Sequence, residues 1–227
     1  MATITDLLKR VHVLLEKDVD YPTSGDEEYL VRFELIKDAV QVWEKDDGNG
    51  TKWKELFTSL SSASDGDKTT TANDSTYDCP ANLVEIIGYV KIGTGNNTIY
   101  YKKIEPYQVK EYQDNRIDCY YVTGNKKDGF DLHLVNTIPS EDSLAIDYDY
   151  YKTSTLPTAG TDVLEMDDDQ FAVYWALSEL VKDEDPSLSS QYASIATQKL
   201  DAMRLRNQGI DPYQDNIIRD SFRGFGR

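Results

Sequence analysis

The stretch that decides the fold is DDDQFAVYWAL, residues 167–177. Its three aspartates place negative charge where the N-terminus of a helix is positive, and the residues after Gln170 are apolar on nearly every side. A helix of this composition must be covered by other elements over most of its surface. We therefore predict that it forms the central helix of the molecule, with Trp175 buried.

A second helix follows it toward the C-terminus. Asp185 and Pro186 supply a cap and a proline suited to the first helical position. Apolar residues at helical spacing mark one face of this helix: Leu188, Tyr192, Ala196, Leu200 and Met203. Gly209 ends it, and Arg204 and Arg206 complement the negative C-terminal end of the helix.

Two amphipathic helices are predicted near the N-terminus. Thr5 can cap the first, which should end near Asp18. Ser24 and Glu27 have the spacing of a capping box at the start of the second. Five apolar residues form a narrow stripe along it: Tyr29, Phe33, Ile36, Val40 and Trp43. Because these helices can cover the central one, we predict one body of two N-terminal and two C-terminal helices.

The middle of the chain has a different composition. Short runs rich in Val, Ile and Tyr, divided by turn signals, predict a small antiparallel sheet. The runs are Leu83–Ile92, Thr98–Ile104, Ile117–Val122, Phe130–Val135 and Leu144–Tyr151. Trp53, Leu56, Phe57 and Leu60 predict a short amphipathic segment that covers the edge of the core. Residues 58–76 as a whole are dominated by Ser, Thr, Asp, Ala and Gly, which predicts a flexible loop that cannot bury enough surface to order itself and is disposable for folding.

These patterns define an α+β fold, a helical bundle with an inserted small antiparallel β-sheet and an extended C-terminal tail. The predicted parts are a helical body (1–62 and 152–209), a flexible loop (63–76), the β insertion (77–151) and the tail (210–227).

The tail combines side chains that commonly anchor protein interfaces. They are Ile217, Ile218, Arg219, Phe222, Arg223, Phe225 and Arg227. The segment is too short to fold alone, so we predict that these residues dock on another protein. A disordered terminus without a partner is the alternative.

The net charge of the chain restricts the classes of partner that it can bind. A net charge of -17 disfavours a protein that binds nucleic acid by neutralising phosphates. An acidic surface repels DNA, which is useful if DNA has to pass without adhering. The alternative is a charge that only favours solubility.

Tyrosine is over-represented, with 16 Tyr against 6 Phe. Its apolar ring and polar tip suit protein interfaces. Neighbours in a strand face opposite sides, so in the pairs 100–101 and 120–121 one ring should face the core and the other a partner. Tyrosines that only fill both faces of a small sheet are the alternative.

The motifs of catalysis and metal binding are missing. His12 and His133 lie in no recognisable triad or zinc motif, and no nucleotide-binding or hydrolase motif is present. We predict no catalytic, cofactor-binding or metal-binding residue and no enzyme. Cys79 and Cys119 lack CxxC spacing and are expected to be reduced thiols, Cys119 within the core. No signal peptide or membrane span is predicted, so an intracellular, soluble product is expected.

The order of these pieces resembles the head-to-tail connector adaptor (head completion) proteins of tailed bacteriophages. The resemblance covers roughly residues 4–208. It rests on the helix from Ser24 to Trp43, the segment Tyr77–Asn82, the motif Ile104–Tyr107, the run Leu132–Pro139, the strand Leu144–Tyr151 and the two closing helices. The long loop at 58–76 and the larger sheet depart from the mostly helical minimal adaptors.

The resemblance implies a structural virion protein at the head–tail neck, made in the host cytoplasm. It implies a ring of about twelve copies below the portal protein that extends the DNA channel toward a downstream neck or tail protein. DNA would pass through without specific binding, no membrane would be contacted, and the tail residues from Ile217 to Arg227 would dock on the portal.

Three other functions are compatible with the residues alone. Another neck, tail-completion or baseplate protein would use the same tyrosines without a portal-binding tail. A free regulatory DNA mimic would use the acidity itself. A hydrolase would need a cleft of converging polar groups, which the sequence does not reveal.

Overall fold

The computed structural model describes residues 2–46 and 52–208. These residues form two compact units: the helical unit, from the described residues before 56 and from 154 to 208, and the sheet unit, Leu56–Thr153. The described residues form five α-helices: α1 (Ile4–Glu16), α2 (Glu27–Lys45), α3 (Val109–Asp114), α4 (Gln170–Leu180) and α5 (Pro186–Asn207). They also form seven strands: β1 (Phe57–Ser59), β2 (Thr76–Asp78), β3 (Leu83–Ile92), β4 (Ile99–Lys103), β5 (Cys119–Asn125), β6 (Gly129–Val135) and β7 (Ile146–Lys152).

Helix α4 is the centre of the helical unit, as its composition predicts. It packs against α1, α2 and α5. Phe171 is 2% exposed, and Val173 and Leu177 are fully buried. The expectation that Trp175 is buried is wrong, because its side chain is only half-buried. Three neighbouring helices therefore leave part of α4 open to solvent.

The helix starts show which capping signals the chain uses. Asp185 accepts hydrogen bonds from the N–H groups of Ser187 and Leu188 at 3.1 and 3.0 Å, so the predicted cap of α5 is confirmed. At α1 the cap is Thr3, whose hydroxyl accepts from the Asp6 N–H at 3.3 Å, and Thr5 is inside the helix. A capping box with Asp6 satisfies two free N–H groups at once, which a cap at Thr5 would not.

The start of α2 also differs from the prediction. Its cap is Asp26, which makes no side-chain hydrogen bond to the helix, so the expected capping box of Ser24 and Glu27 is wrong. The Asp26 carboxylate instead accepts from the N–H of Thr23 at 2.6 Å and from its hydroxyl at 2.9 Å. This side chain holds the turn that enters the helix.

The predicted fold class is wrong in its sheet. The seven strands form one mixed sheet, curled into a half-barrel, in the order β1-β7-β3-β4-β5-β6-β2. It is too large to be a small insertion in a helical bundle. The neighbours β4 and β5 run parallel, because α3 lies in the connection that returns the chain to the same direction. The remaining neighbours are antiparallel.

The sheet unit has its own core, in which tyrosine is prominent. Tyr101 and Tyr120 are fully buried and Tyr150 is 1% exposed. Each hydroxyl has an acceptor, and the Tyr101 hydroxyl donates to the carbonyl of Thr137 at 2.6 Å. Because the polar tips are bonded, these rings can fill the inside of the half-barrel.

Residues 58–76 contribute to this unit, and the expectation that they cannot bury enough surface to order themselves is wrong. Leu60 is fully buried, as its place in the amphipathic segment predicts, but Thr70 is also only 4% exposed. The Thr70 N–H donates to the Leu144 carbonyl at 2.9 Å, and the Thr70 hydroxyl donates to the Glu141 carbonyl at 2.8 Å. The segment is thus held along residues 141–146 by backbone bonds that its polar composition does not indicate.

Replacing residues 62–74 with a Gly/Ser linker is therefore expected to destabilise the sheet unit by at least about 2 kcal/mol. The reason is the loss of several hydrogen bonds around Thr70, each contributing about 0.5–1.5 kcal/mol. Chemical denaturation followed by far-UV circular dichroism measures the effect. The same linker in place of the exposed residues 94–97 is the control. Equal stability of both variants would show that residues 62–74 are dispensable.

Candidate interaction surface

The outer face of the sheet carries three exposed aromatic side chains and one half-buried one, Tyr151, on four adjacent strands. Tyr89 of β3 is 54% exposed and Tyr100 of β4 is 56% exposed, and their rings meet edge to face at 6.4 Å between centroids. Phe57 of β1 is 46% exposed and packs edge to face on Tyr151 of β7 at 5.6 Å. We call these four residues the outer aromatic face.

The backbone explains why these rings point outward together. Tyr89 and Lys91 lie on the same side of β3, opposite the buried Val90 and Ile92. The register shifts between Ile87 and Lys91, where β3 passes β7. Ile87, at the start of this bulge, is 38% exposed, so an aliphatic side chain adds to the exposed apolar surface of the strand.

The alternation predicted for paired tyrosines is confirmed. Tyr100 is exposed while Tyr101 is buried, and Tyr121 is half-buried while Tyr120 is buried. In β7 the same rule buries the rings of Tyr148 and Tyr150 and leaves the alternating Asp147 and Asp149 exposed. The tyrosines therefore fill the core from one side of the sheet and occupy the surface on the other.

Helix α3 covers a different part of this face. Ile104, Cys119 and Val135 form a small buried cluster, with Val109 and Tyr112 packed against it. The ammonium of Lys102 lies 5.7 Å from the centroid of the Tyr112 ring. The cluster under α3 contains none of the four rings of the outer aromatic face, so the two are separate features of the sheet.

The four strands of the outer aromatic face are close to neutral. They carry four lysines and three carboxylates: Lys91, Lys102, Lys103, Lys152, Glu85, Asp147 and Asp149. Their formal charge is therefore +1, within a chain of net charge -17. Lys103 pairs with Glu85 at 2.8 Å and Lys91 pairs with Asp147 at 3.6 Å. Exposed aromatic rings on strands of nearly balanced charge, within an acidic protein, are suited to contact with another protein.

The two histidines lie in different structural settings. The His133 ring forms hydrogen bonds through both of its nitrogens, Nδ1 with the Thr76 hydroxyl at 3.2 Å and Nε2 with the Thr123 hydroxyl at 2.7 Å. The ring also stacks on the Tyr121 ring, with 4.8 Å between the centroids. His12 is 6% exposed, and its Nδ1 lies 2.6 Å from the guanidinium of Arg32. These contacts hold each ring within the packing of its own unit.

The thiols are buried and weakly acidic. Desolvation raises the pKa of the Cys79 thiol to about 11 and also raises the pKa of the Cys119 thiol. Cys119 is fully buried, which confirms its predicted place in the core. Since the thiolate is the reactive form, neither group is suited to act as a nucleophile near neutral pH.

Among residues 2–46 and 52–208, no group of three or more His, Cys, Asp or Glu side chains is arranged to hold a metal ion. No described helix is long and apolar enough to cross a membrane. The predicted docking residues Ile217, Ile218, Arg219, Phe222, Arg223, Phe225 and Arg227 all lie outside the described part of the chain.

Sequence reasoning found only part of this surface. It singled out Tyr100 through the pair that this residue forms with Tyr101. It did not single out Phe57, Tyr89 or Tyr151 as members of one face, because strand pairing brings them together from distant parts of the sequence. Tyr89 was the available signal, because it alternates with the apolar residues Val90 and Ile92 of the same strand and should therefore face the opposite side of the sheet.

An acidic protein whose most distinctive surface is an aromatic face of a sheet belongs with proteins that act by binding other proteins. The comparison with known families agrees. Residues 2–219 match the model of the SU10 adaptor protein family. The chain belongs to this family and is a structural adaptor protein of a bacteriophage virion, which interacts with other virion proteins. No curated protein matches it.

Proposed function

We propose that the protein is the head-to-tail connector adaptor of its phage. In this role it forms a ring of about twelve copies beneath the portal protein, extends the DNA channel and links the capsid to a downstream neck or tail protein. The observation that carries the proposal is the family match over residues 2–219, which includes both described units.

We assign the outer aromatic face to the contact between neighbouring copies. Two chains of net charge -17 repel each other over most of their surfaces. The four strands of this face carry a formal charge of +1, so another copy can approach them at a smaller electrostatic cost. Tyrosine and phenylalanine are also enriched in the cores of protein interfaces. A second copy is therefore the partner we assign to this face.

The C-terminal tail is assigned to the portal. Phe222 and Phe225 are three residues apart, so both rings can enter pockets of a partner. The neighbouring Arg219, Arg223 and Arg227 can form bidentate pairs with carboxylates. This cluster of positive charge contrasts with the acidity of the rest of the chain. It favours binding of the segment to an acidic surface of the portal.

The acidity has a use in a DNA channel. Binding of DNA by proteins depends largely on cations that neutralise phosphates. A ring of chains with net charge -17 offers little such neutralisation, so DNA can leave the head without adhering to the wall.

The subunit contact is tested by replacing Tyr100 with alanine. We expect self-association to weaken about tenfold, because truncating a central interface aromatic typically costs more than 1 kcal/mol. Sedimentation velocity of the protein with portal rings, over a range of concentrations, measures the change.

Tyr107→Ala is the matched control, since Tyr107 is 84% exposed but lies in a turn outside the outer aromatic face. Both variants should fold, because neither ring is in the core. If Tyr100→Ala assembles as the unmodified protein does, the face is not the subunit contact. Assembly lost equally in both variants would also contradict the assignment.

A further inference from the structure

A groove opens at one end of the helical unit, between the end of α1, the start of α2 and the end of α4. Its volume is about 500 Å³, within the range of sites that bind ligands. Four apolar side chains line it: Leu15, Val31, Leu180 and Val181. Val31 is 47% exposed, so its side chain is accessible from the groove. The groove therefore offers an apolar floor to a ligand.

The rim of the groove is strongly acidic. Four glutamates line it: Glu16, Glu27, Glu28 and Glu184. The only cation of its lining is Arg32, which gives the described lining a formal charge of -3. The side chain of Arg32 is 5% exposed and already binds Glu28 at 3.2 Å and Glu16 at 3.4 Å. A ligand for this groove should carry both apolar groups and positive charge.

The chain contains one segment with that chemistry. Residues 219–227 hold three arginines and two phenylalanines, with a single aspartate. We propose that residues 219–227 bind in this groove of their own molecule. The phenylalanine rings contact the apolar floor, and the arginines pair with the glutamates of the rim. The inference does not depend on the proposed role at the portal.

The length of the chain allows this contact. Helix α5 begins at Pro186, two residues after Glu184 of the groove, and ends at Asn207. Its 22 residues span about 33 Å, so the end of α5 lies about that far from the groove. An extended segment of ten residues, 209–218, covers about 33–36 Å. Arg219 is thus the first arginine of the segment that can reach the rim.

Trypsin cleavage after Arg223 in the full chain tests the proposal, with mass spectrometry of the intact protein as the readout. A bound segment is cleaved only when it leaves the groove. The double variant Glu27→Lys, Glu184→Lys reverses two charges of the rim. We expect its cleavage rate to be roughly tenfold that of the unmodified protein.

The variant Glu34→Lys, Asp38→Lys is the matched control, because it reverses two exposed charges of α2 that do not line the groove. It should be cleaved at the rate of the unmodified protein. Circular dichroism identifies any variant that does not fold, and a Val31→Asp chain then replaces it as the groove variant. Equal cleavage of the unmodified protein and the groove variant would overturn the proposal. Protection that increases with protein concentration would place the segment in another copy and would also contradict it.

Discussion

Deleting residues 211–227 is expected to abolish binding of the protein to isolated portal rings while the described helices and strands still fold. Truncation of an interface hot spot costs about 2 kcal/mol or more. Loss of Phe222 and Phe225 alone therefore weakens binding by about a thousandfold. The described helices end at Asn207, so the deletion removes none of them.

Biolayer interferometry with immobilised portal rings measures this loss. The double variant Phe222→Ala, Phe225→Ala should reproduce most of it in the full-length chain. Tyr213→Ala is the matched control, because it removes an aromatic ring of the same segment outside the Phe/Arg cluster. Undiminished binding by the truncated chain would remove the tail from the mechanism.

Replacing Phe171 with alanine is expected to lower the free energy of unfolding of the helical unit by about 3–5 kcal/mol. Phe171 is 2% exposed in α4, the helix that contacts α1, α2 and α5. Removal of a buried aromatic side chain costs its transfer free energy and leaves a cavity. Denaturation followed by tryptophan fluorescence reports on this unit, because Trp43, Trp53 and Trp175 all belong to it.

The half-buried ring of Tyr174 provides the comparison within the same helix. Tyr174→Ala should cost clearly less than Phe171→Ala, because part of its ring is already in contact with water. A loss below about 1 kcal/mol for Phe171→Ala would mean that α4 is not the core of the unit.

The sequence predicts the helical unit better than the sheet. The run at 171–177 is nearly continuous in apolar residues, and Asp185 with Pro186 is an unambiguous start for α5. These signals depend only on residues that are close in sequence, so they can be recognised without knowing the tertiary structure. The cap of α1 was missed although a local signal was present: Thr3 is followed three residues later by Asp6, the spacing of a capping box, whereas Thr5 is followed by Leu8.

The sheet was underestimated for a physical reason. Strands β1 and β2 have three residues each, too few to show an alternating pattern, and both border a segment of polar composition. Their pairing with β7 and β6 is set by contacts between distant parts of the chain. The parallel pairing of β4 and β5 likewise depends on the path of the connection through α3, which residue propensity does not encode.

The outer aromatic face could be anticipated only in part. Alternation along a strand predicts that Tyr100 and Tyr101 face opposite sides, but it does not show which strands are neighbours. The near-neutral charge of the face emerges once β1, β7, β3 and β4 are adjacent. The docking residues of the tail, from Ile217 to Arg227, stay a prediction from sequence.

The proposed connector role is tested most directly by the mass of the complex that the unmodified protein forms with purified portal rings. Twelve copies of a 25.8 kDa chain add about 310 kDa to the ring. Native mass spectrometry should therefore detect a single saturated complex heavier than the portal by that amount, and the chain lacking residues 211–227 should not form it. A portal ring whose mass is unchanged in the presence of excess protein would contradict the assignment of this adaptor to the head–tail connector.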